Sequence, residues 1–244
     1  MFKGSSQDGT NKLFSETEIN QWTKNIHETI HPDIELIFQT DFFNALDRRE
    51  FNKDEISKFA QEYFLASSKF PKLLSLACAN MPTDELRLPF VRNLWDEHGQ
   101  GISANSHRAL LLKFLDYFNV GYQENLNGPA ERYFLAMEDL CKKSNVCMTL
   151  GMFGPGCESF TPREYHLLVQ GMKKILPISN ADLSFFFDHI DHDNEHDQWL
   201  NECFRLAIRS AQDVQDIIQG ARSAISIECQ FWTEMYMHCR EQNK

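Results

Sequence analysis

No part of the 244-residue sequence approaches the roughly 18 consecutive apolar residues that a membrane-crossing helix needs. No bilayer-spanning segment is therefore expected. Positive charge is scarce: 24 Lys and Arg stand against 35 Asp and Glu, for a formal net charge of -11, and the cations form no run. Phosphate backbones require a basic surface, so a nucleic-acid partner is not expected. Cysteine number is odd, at seven, and no CxxC pair occurs, which argues against a disulfide framework or a thiolate zinc site. The stretch Met1 to Lys12 is polar and has no apolar export core. Reduced thiols in a cytoplasmic protein are the expectation. Alternating strand patterns, internal repeats and low-complexity blocks are also missing.

What is present is a core-forming composition, 42% hydrophobic and 24% charged, with 20 Phe that suggest an aromatic interior or pocket. Residues 1–12 read as a flexible tail and 13–244 as one domain. Ser15 and Glu18 form a capping box ahead of Trp22, Ile26 and Ile30. Pro32 marks a second helix start, and Pro71 an end to the stripe Ile56, Phe59, Ala60, Tyr63, Phe64. Further helices are expected through Phe90, Leu94 and Glu97, from Ser106 to Phe118, and continuously from Ala130 to about Met152. Three more follow: one from Thr161, one through His189 to Leu206, and one over Ala211 to Cys239. The fold class is all-α, a bundle of about seven to nine helices.

The segment Phe185-Phe186-Phe187-Asp188-His189-Ile190-Asp191-His192-Asp193-Asn194-Glu195-His196 carries the spacing His189-x3-Asp193-x2-His196. At about 100° per residue these side chains fall near 0°, 40° and 340°, within a wedge of about 60°. Two imidazoles and a carboxylate on one face suit a metal such as iron. The alternative is a solvated acidic helix turn that happens to hold histidines, and His192, near 300°, sits at the wedge's margin. Three phenylalanines immediately before the cluster count against a solvated face.

A metal between helices draws ligands from facing helices. Glu97, one turn after Leu94 and Phe90, lies on a buried side; His107 opens the Leu110, Leu111, Phe114 stripe; Glu158 sits in the apolar, Gly-rich run Met148 to Phe160. Each alone reads equally as a helix-end or loop residue. Together with His189, Asp193 and His196 they make three carboxylates and three imidazoles, a set suited to two irons. Glu28-x-x-His31 is the lone Glu-x-x-His motif and lies against Pro32, so it reads as a helix-end feature. His98 and His192 neighbour the candidates without sharing their phase; His27, His166 and His238 read as structural.

The ordered set Glu97, His107, Glu158, His189-x3-Asp193-x2-His196 resembles the ligand signature of the haem-oxygenase-like di-iron oxidases and oxygenases. The contexts Asn93-Leu94-Trp95-Asp96-Glu97-His98-Gly99, Glu158-x3-Pro162-x2-Tyr165 and Phe185-Phe186 agree, over about residues 55 to 235. The resemblance implies a haem-oxygenase-like seven-helix fold, with Glu97 and His107 from one core helix region, Glu158 from a second and the triad from a third. It implies two Fe(II) ions, O2 as co-substrate and a small-molecule substrate, and leaves room for an external electron donor and a homodimer. The ten-residue Glu97–His107 spacing, the length and the Phe content are similar to the family's nitrile-forming branch. That points to an aromatic or apolar amino acid, a tryptophan derivative first. N-oxygenation, desaturation or oxidative decarboxylation of another amino or fatty acid is the alternative within the family.

Residues one turn from ligands, namely Leu94, Leu111, Gly154 and Phe186, are expected to line the substrate pocket. An amino-acid carboxylate would also call for an Arg. Gly154-Pro155-Gly156, close to Glu158, is expected to break the second core helix. Two readings of other classes remain: a metal-free thiaminase-like enzyme, which needs a nucleophilic Cys, and a binding protein with a closed structural metal.

Overall fold

A computed structural model describes residues 14–123 and 125–241, the side chains of 191–199 and 201 excepted. The expected tail at 1–12 lies outside the described residues. Ten α-helices make up the described fold: α1 (Glu16–Phe38), α2 (Asp41–Asp47), α3 (Lys53–Asn80), α4 (Asp84–Glu97), α5 (His107–Phe118), α6 (Pro129–Lys143), α7 (Val146–Phe153), α8 (Thr161–Ile175), α9 (Ser184–Ala207) and α10 (Ala211–Arg240). No strand occurs among the described residues, and no described helix is long and apolar enough to cross a membrane. The architecture is the all-α bundle that the periodicity implied.

Local chemistry explains most starts. Ser15 and Glu18 form the capping box of α1, and Asn52 with Glu55 forms another on α3. Ser106 Oγ accepts from Ala109 N at 3.2 Å to start α5. Three expectations change. Pro32 and Pro71 lie inside α1 and α3 rather than at their ends. Each removes one backbone donor, but buried stripes on both sides (Ile26, Ile30, Ile34 and Ile37; Phe64, Leu65, Leu73 and Leu74) keep the helix seated. The run from Ala130 to Met152 is two helices, because Asn145 leaves the helical region and its side chain caps Met148 N at 2.9 Å.

The α10 helix is the central strut. It packs along α1, α6 and α7, while α9 lies against α4, α5, α7 and α8. Its buried face carries Ile217, Ala221, Ala224, Ile225, Glu228, Phe231, Trp232 and Met235. Around Trp232 the interior is aromatic: Phe42, Phe43, Phe59, Tyr63 and Phe231 all hold ring centroids within about 6 Å of it.

Candidate metal centre

Glu97 ends α4 and His107 begins α5. They belong to two helices, not to one continuous region, and the link is a reversal through Gly99, Gln100 and Gly101 at φ 65°, 54° and 85°. Those left-handed values come cheaply only to glycine. At Gly99 a Cβ would also stand 2.5 Å from the backbone of Asn105 and Ser106. The turn folds the two helix ends onto each other, bringing His107 Nδ1 to 3.0 Å from Glu97 Oε1.

His189 comes from the second turn of α9 and meets His107 with ring centroids 4.1 Å apart. One ligand atom each from Glu97, His107 and His189 lies within 4.8 Å of the others, and all three residues are buried. Two atoms bound to one ion at about 2.1 Å lie at most about 4.2 Å apart, so gathering them round an ion needs only small shifts. The ring of His189 is already aimed: Nδ1 stands 2.8 Å from Phe185 O. A carbonyl only accepts, so Nδ1 carries the proton and Nε2 keeps its lone pair for a metal. Asp188 Oδ2 lies 3.8 Å from His107 Nε2 at the same site.

Glu158 is brought in by an irregular element. The α-helix α7 ends at Phe153 as expected, where Gly154 leaves the helical region at φ −75°, ψ −97°, and a π-turn, Gly154–Glu158, follows directly. Such turns let one helix re-aim a side chain. Glu158 is 5% exposed, and its Oε1 accepts from Asn93 Nδ2 at 2.8 Å. Asn93 is itself buried one turn before Glu97. Asp193 and His196 occupy α9 one and two turns beyond His189, but their side chains, like that of His192, lie outside the described residues.

A cavity of about 80 Å³ opens beside the cluster, several times what one water needs. Glu97, His107, Glu158 and His189 line one part, while Tyr63, Tyr133, Glu164, Glu228 and Phe231 line another. No Lys or Arg is among the lining residues. A buried set of carboxylates and imidazoles has the donor chemistry for divalent iron. The residues fit that metal.

The sequence matches, over residues 57–228, the family described as iron-containing redox enzymes. The chain belongs to this family. No curated protein matches it in sequence. Among solved structures it is similar to a CADD-like protein of unknown function from Nostoc punctiforme, with a TM-score of 0.79 and 18% identity over 92% of this chain and 100% of that one. It is also similar to a domain of unknown function with a heme oxygenase-like fold from Shewanella denitrificans, with a TM-score of 0.65 and 12% identity over 92% and 93% of the chains. A TenA homologue from Pseudomonas syringae pv. tomato gives a TM-score of 0.66 and 9% identity over 88% and 93%. At such identities these structures establish the heme oxygenase-like fold alone.

Within this iron-containing redox protein the pocket differs from its sequence-based outline. Leu94, Leu111, Gly154 and Phe186 are not among the cavity-lining residues. Leu111 and Phe186 are fully buried in the core, because a position one turn from a ligand continues the stripe that packs the helix. Glu28 is paired with Lys24 at 3.6 Å and His31 with Glu35 at 3.9 Å, both on the surface side of α1. Asn93, Glu164 and Glu228 were missed. Their signal was the one that marked Glu97: a polar residue in register with a helix's apolar stripe. Burial pushes the thiols of Cys147, Cys203 and Cys239 up to about 12, and those of Cys141 and Cys229 to about 11, which leaves them poor nucleophiles. Cys157, by contrast, lines the cavity.

Proposed function

We propose that this protein is a non-haem di-iron oxidase or oxygenase that uses O2 on a small aromatic or apolar metabolite, an amino acid or related amine in the first instance. The observation that carries the reading is the buried Glu97–His107–His189 triangle beside an aromatic cavity. Glu97, His107, Glu158, His189, Asp193 and His196 would hold two Fe(II) ions. When bound, the irons would supply the reduction of O2; the chain supplies placement and dryness. Phe185, whose ring centroid is 5.7 Å from His107 and 4.3 Å from His189, shields the ligand end from water. The Asn93 amide holds the Glu158 carboxylate, and the Phe185 carbonyl fixes the His189 tautomer.

With no Arg in the lining, a substrate carboxylate would have only the metal as a countercharge, so it would face the ligand end. Nitrile formation from a tryptophan derivative is the most specific form of this proposal, and N-oxygenation or decarboxylation are its neighbours. An external electron donor would be needed wherever the substrate does not furnish all four electrons for O2. Anaerobic Fe(II) titration should saturate near two per chain, and O2 uptake should then depend on adding an aromatic amino acid. Saturation at zero or one, or uptake driven by fatty acids alone, overturns it.

The position of Cys157 gives a thiaminase-like nucleophile one supporting observation. Cys157→Ala separates the two readings: O2 uptake survives it under the di-iron reading, and all turnover is lost under the nucleophile reading.

A further inference from the structure

The ring of His107 stands between two carboxylates that approach its opposite nitrogens. Glu97 Oε1 lies 3.0 Å from Nδ1, and Asp188 Oδ2 lies 3.8 Å from Nε2. Two other rings pack against it. Phe185 meets it at 88° with centroids 5.7 Å apart, and His189 lies 4.1 Å away. So packed, the imidazole keeps one nitrogen toward each carboxylate.

The two carboxylates differ in their surroundings. Glu97 is buried and shares the ligand triangle with His107 and His189. Asp188 lies outside that triangle, and 46% of its side chain is exposed. Two ligands at right angles on one ion, each about 2.1 Å from it, stand about 3.0 Å apart (2.1 × √2), which matches the Glu97–Nδ1 separation. A metal shared with Glu97 therefore engages His107 through Nδ1. A neutral imidazole then carries its proton on Nε2, and that N–H faces Asp188. His189 is set the other way round, because Phe185 O holds its Nδ1–H and leaves Nε2 for the metal. Asp188 and His189 are consecutive on α9, and neighbouring helix positions diverge by about 100°. One can thus reach the metal while the other reaches the outer edge of His107.

We propose that Asp188 is a positioning residue of the metal centre: it accepts a hydrogen bond from Nε2–H of His107 and fixes that ring as an Nδ1 ligand, opposite in sense to His189. The assignment rests on reading Glu97, His107 and His189 as metal ligands. Closing the gap from 3.8 Å to a hydrogen bond of about 2.8 Å takes a shift of about 1 Å, within the reach of a half-exposed side chain. A carboxylate on the outer nitrogen orients the ring and raises its basicity toward the metal.

The test uses the full chain, 15N-labelled, with Zn(II) as a diamagnetic probe and Fe(II) titrated anaerobically in parallel. Long-range 1H–15N spectra report which nitrogen of each histidine is metal-bound and which carries a proton; His107→Gln and His189→Gln identify the two sets of signals. His107 should be metal-bound at Nδ1 and protonated at Nε2, and His189 the reverse. Asp188→Leu should weaken binding of both metals about 10- to 100-fold, and Asp188→Asn, which keeps an acceptor oxygen, by less. Both should shift the His107 Nε2–H resonance. The Tm of the metal-free variants should stay within about 2 °C of the parent's, as for other surface substitutions. Metal bound at Nε2 of His107 overturns the assignment, as does parent affinity in both Asp188 variants. So does a metal-free Asp188→Leu protein that melts well below the parent, since the residue would then serve stability and not the metal. A parent protein that binds neither metal sinks the reading of the site as a metal centre and the assignment with it; binding through Nε2 of His107 sinks the assignment alone.

Discussion

Gly151 on α7 meets the backbone of α10 at Ile217, and Gly220 on α10 meets that of α7 at Met148, where the two helices cross; Gly220→Ala tests how that crossing supports the site. A Cβ at Gly220 would stand 2.0 Å from Met148 O, and one at Gly151 would stand 2.0 Å from Ile217 O. Ordinary contact begins near 3.4 Å, so a single methyl forces the helices apart by about 1.4 Å (3.4 − 2.0). The obstructing atoms are backbone and cannot rotate aside. Alanine gains about 1 kcal/mol of helix propensity over glycine. Overpacking costs about 1–3 kcal/mol, and more where backbone must move. The clash wins, and a net loss of roughly 2 kcal/mol is expected, equivalent to about 4–8 °C in Tm for a domain of this size. Displacing α7 also displaces the π-turn that carries Glu158, so Fe(II) affinity should fall with stability. Urea denaturation and anaerobic iron titration measure the two effects, with Gly121→Ala as the control, since nothing lies within 4 Å of a Cβ there. A Gly220→Ala protein as stable as the parent would refute the packing argument.

Three further outcomes are expected. Asn93→Leu removes the 2.8 Å bond to Glu158 and should weaken Fe(II) binding about 10- to 100-fold; unchanged affinity in an anaerobic titration would remove Asn93 from any role in aiming that carboxylate. Burial raises Glu228 from its ordinary 4.5 to about 7, so the stability tied to its protonated form is complete below pH 4.5 and is lost as pH rises through about 7. Glu228→Gln should flatten the fall in denaturation midpoint between pH 5 and pH 7.5, and parallel profiles for the two proteins would show that Glu228 titrates normally. Asp193→Ala and His196→Ala should abolish substrate-dependent O2 uptake while His192→Ala keeps most of it; equal loss in all three would mean that the helical phase assigned to them is wrong.

How much of this was legible in the chain depends on the distance over which each feature is decided. The apolar spacing along α5, α8 and α10 follows from 3.6-residue periodicity and the capping box at Ser15 from side chains three residues apart, and any local stretch carries both. The same local rules failed at Pro32, Pro71 and Ser144-Asn145: burial on both sides outweighed one missing hydrogen bond at each proline, while a capping amide interrupted a run whose periodicity looked continuous. Periodicity tells which side of a helix is buried, but not what it is buried against. The meeting of Glu97 with His107 across three left-handed residues was therefore settled by tertiary structure. So was the Asn93 bond to Glu158, and so was the bond from the Trp232 indole N–H to Glu164. Each joins residues on different helices, and their proximity exists only once α4, α7, α8, α9 and α10 have packed.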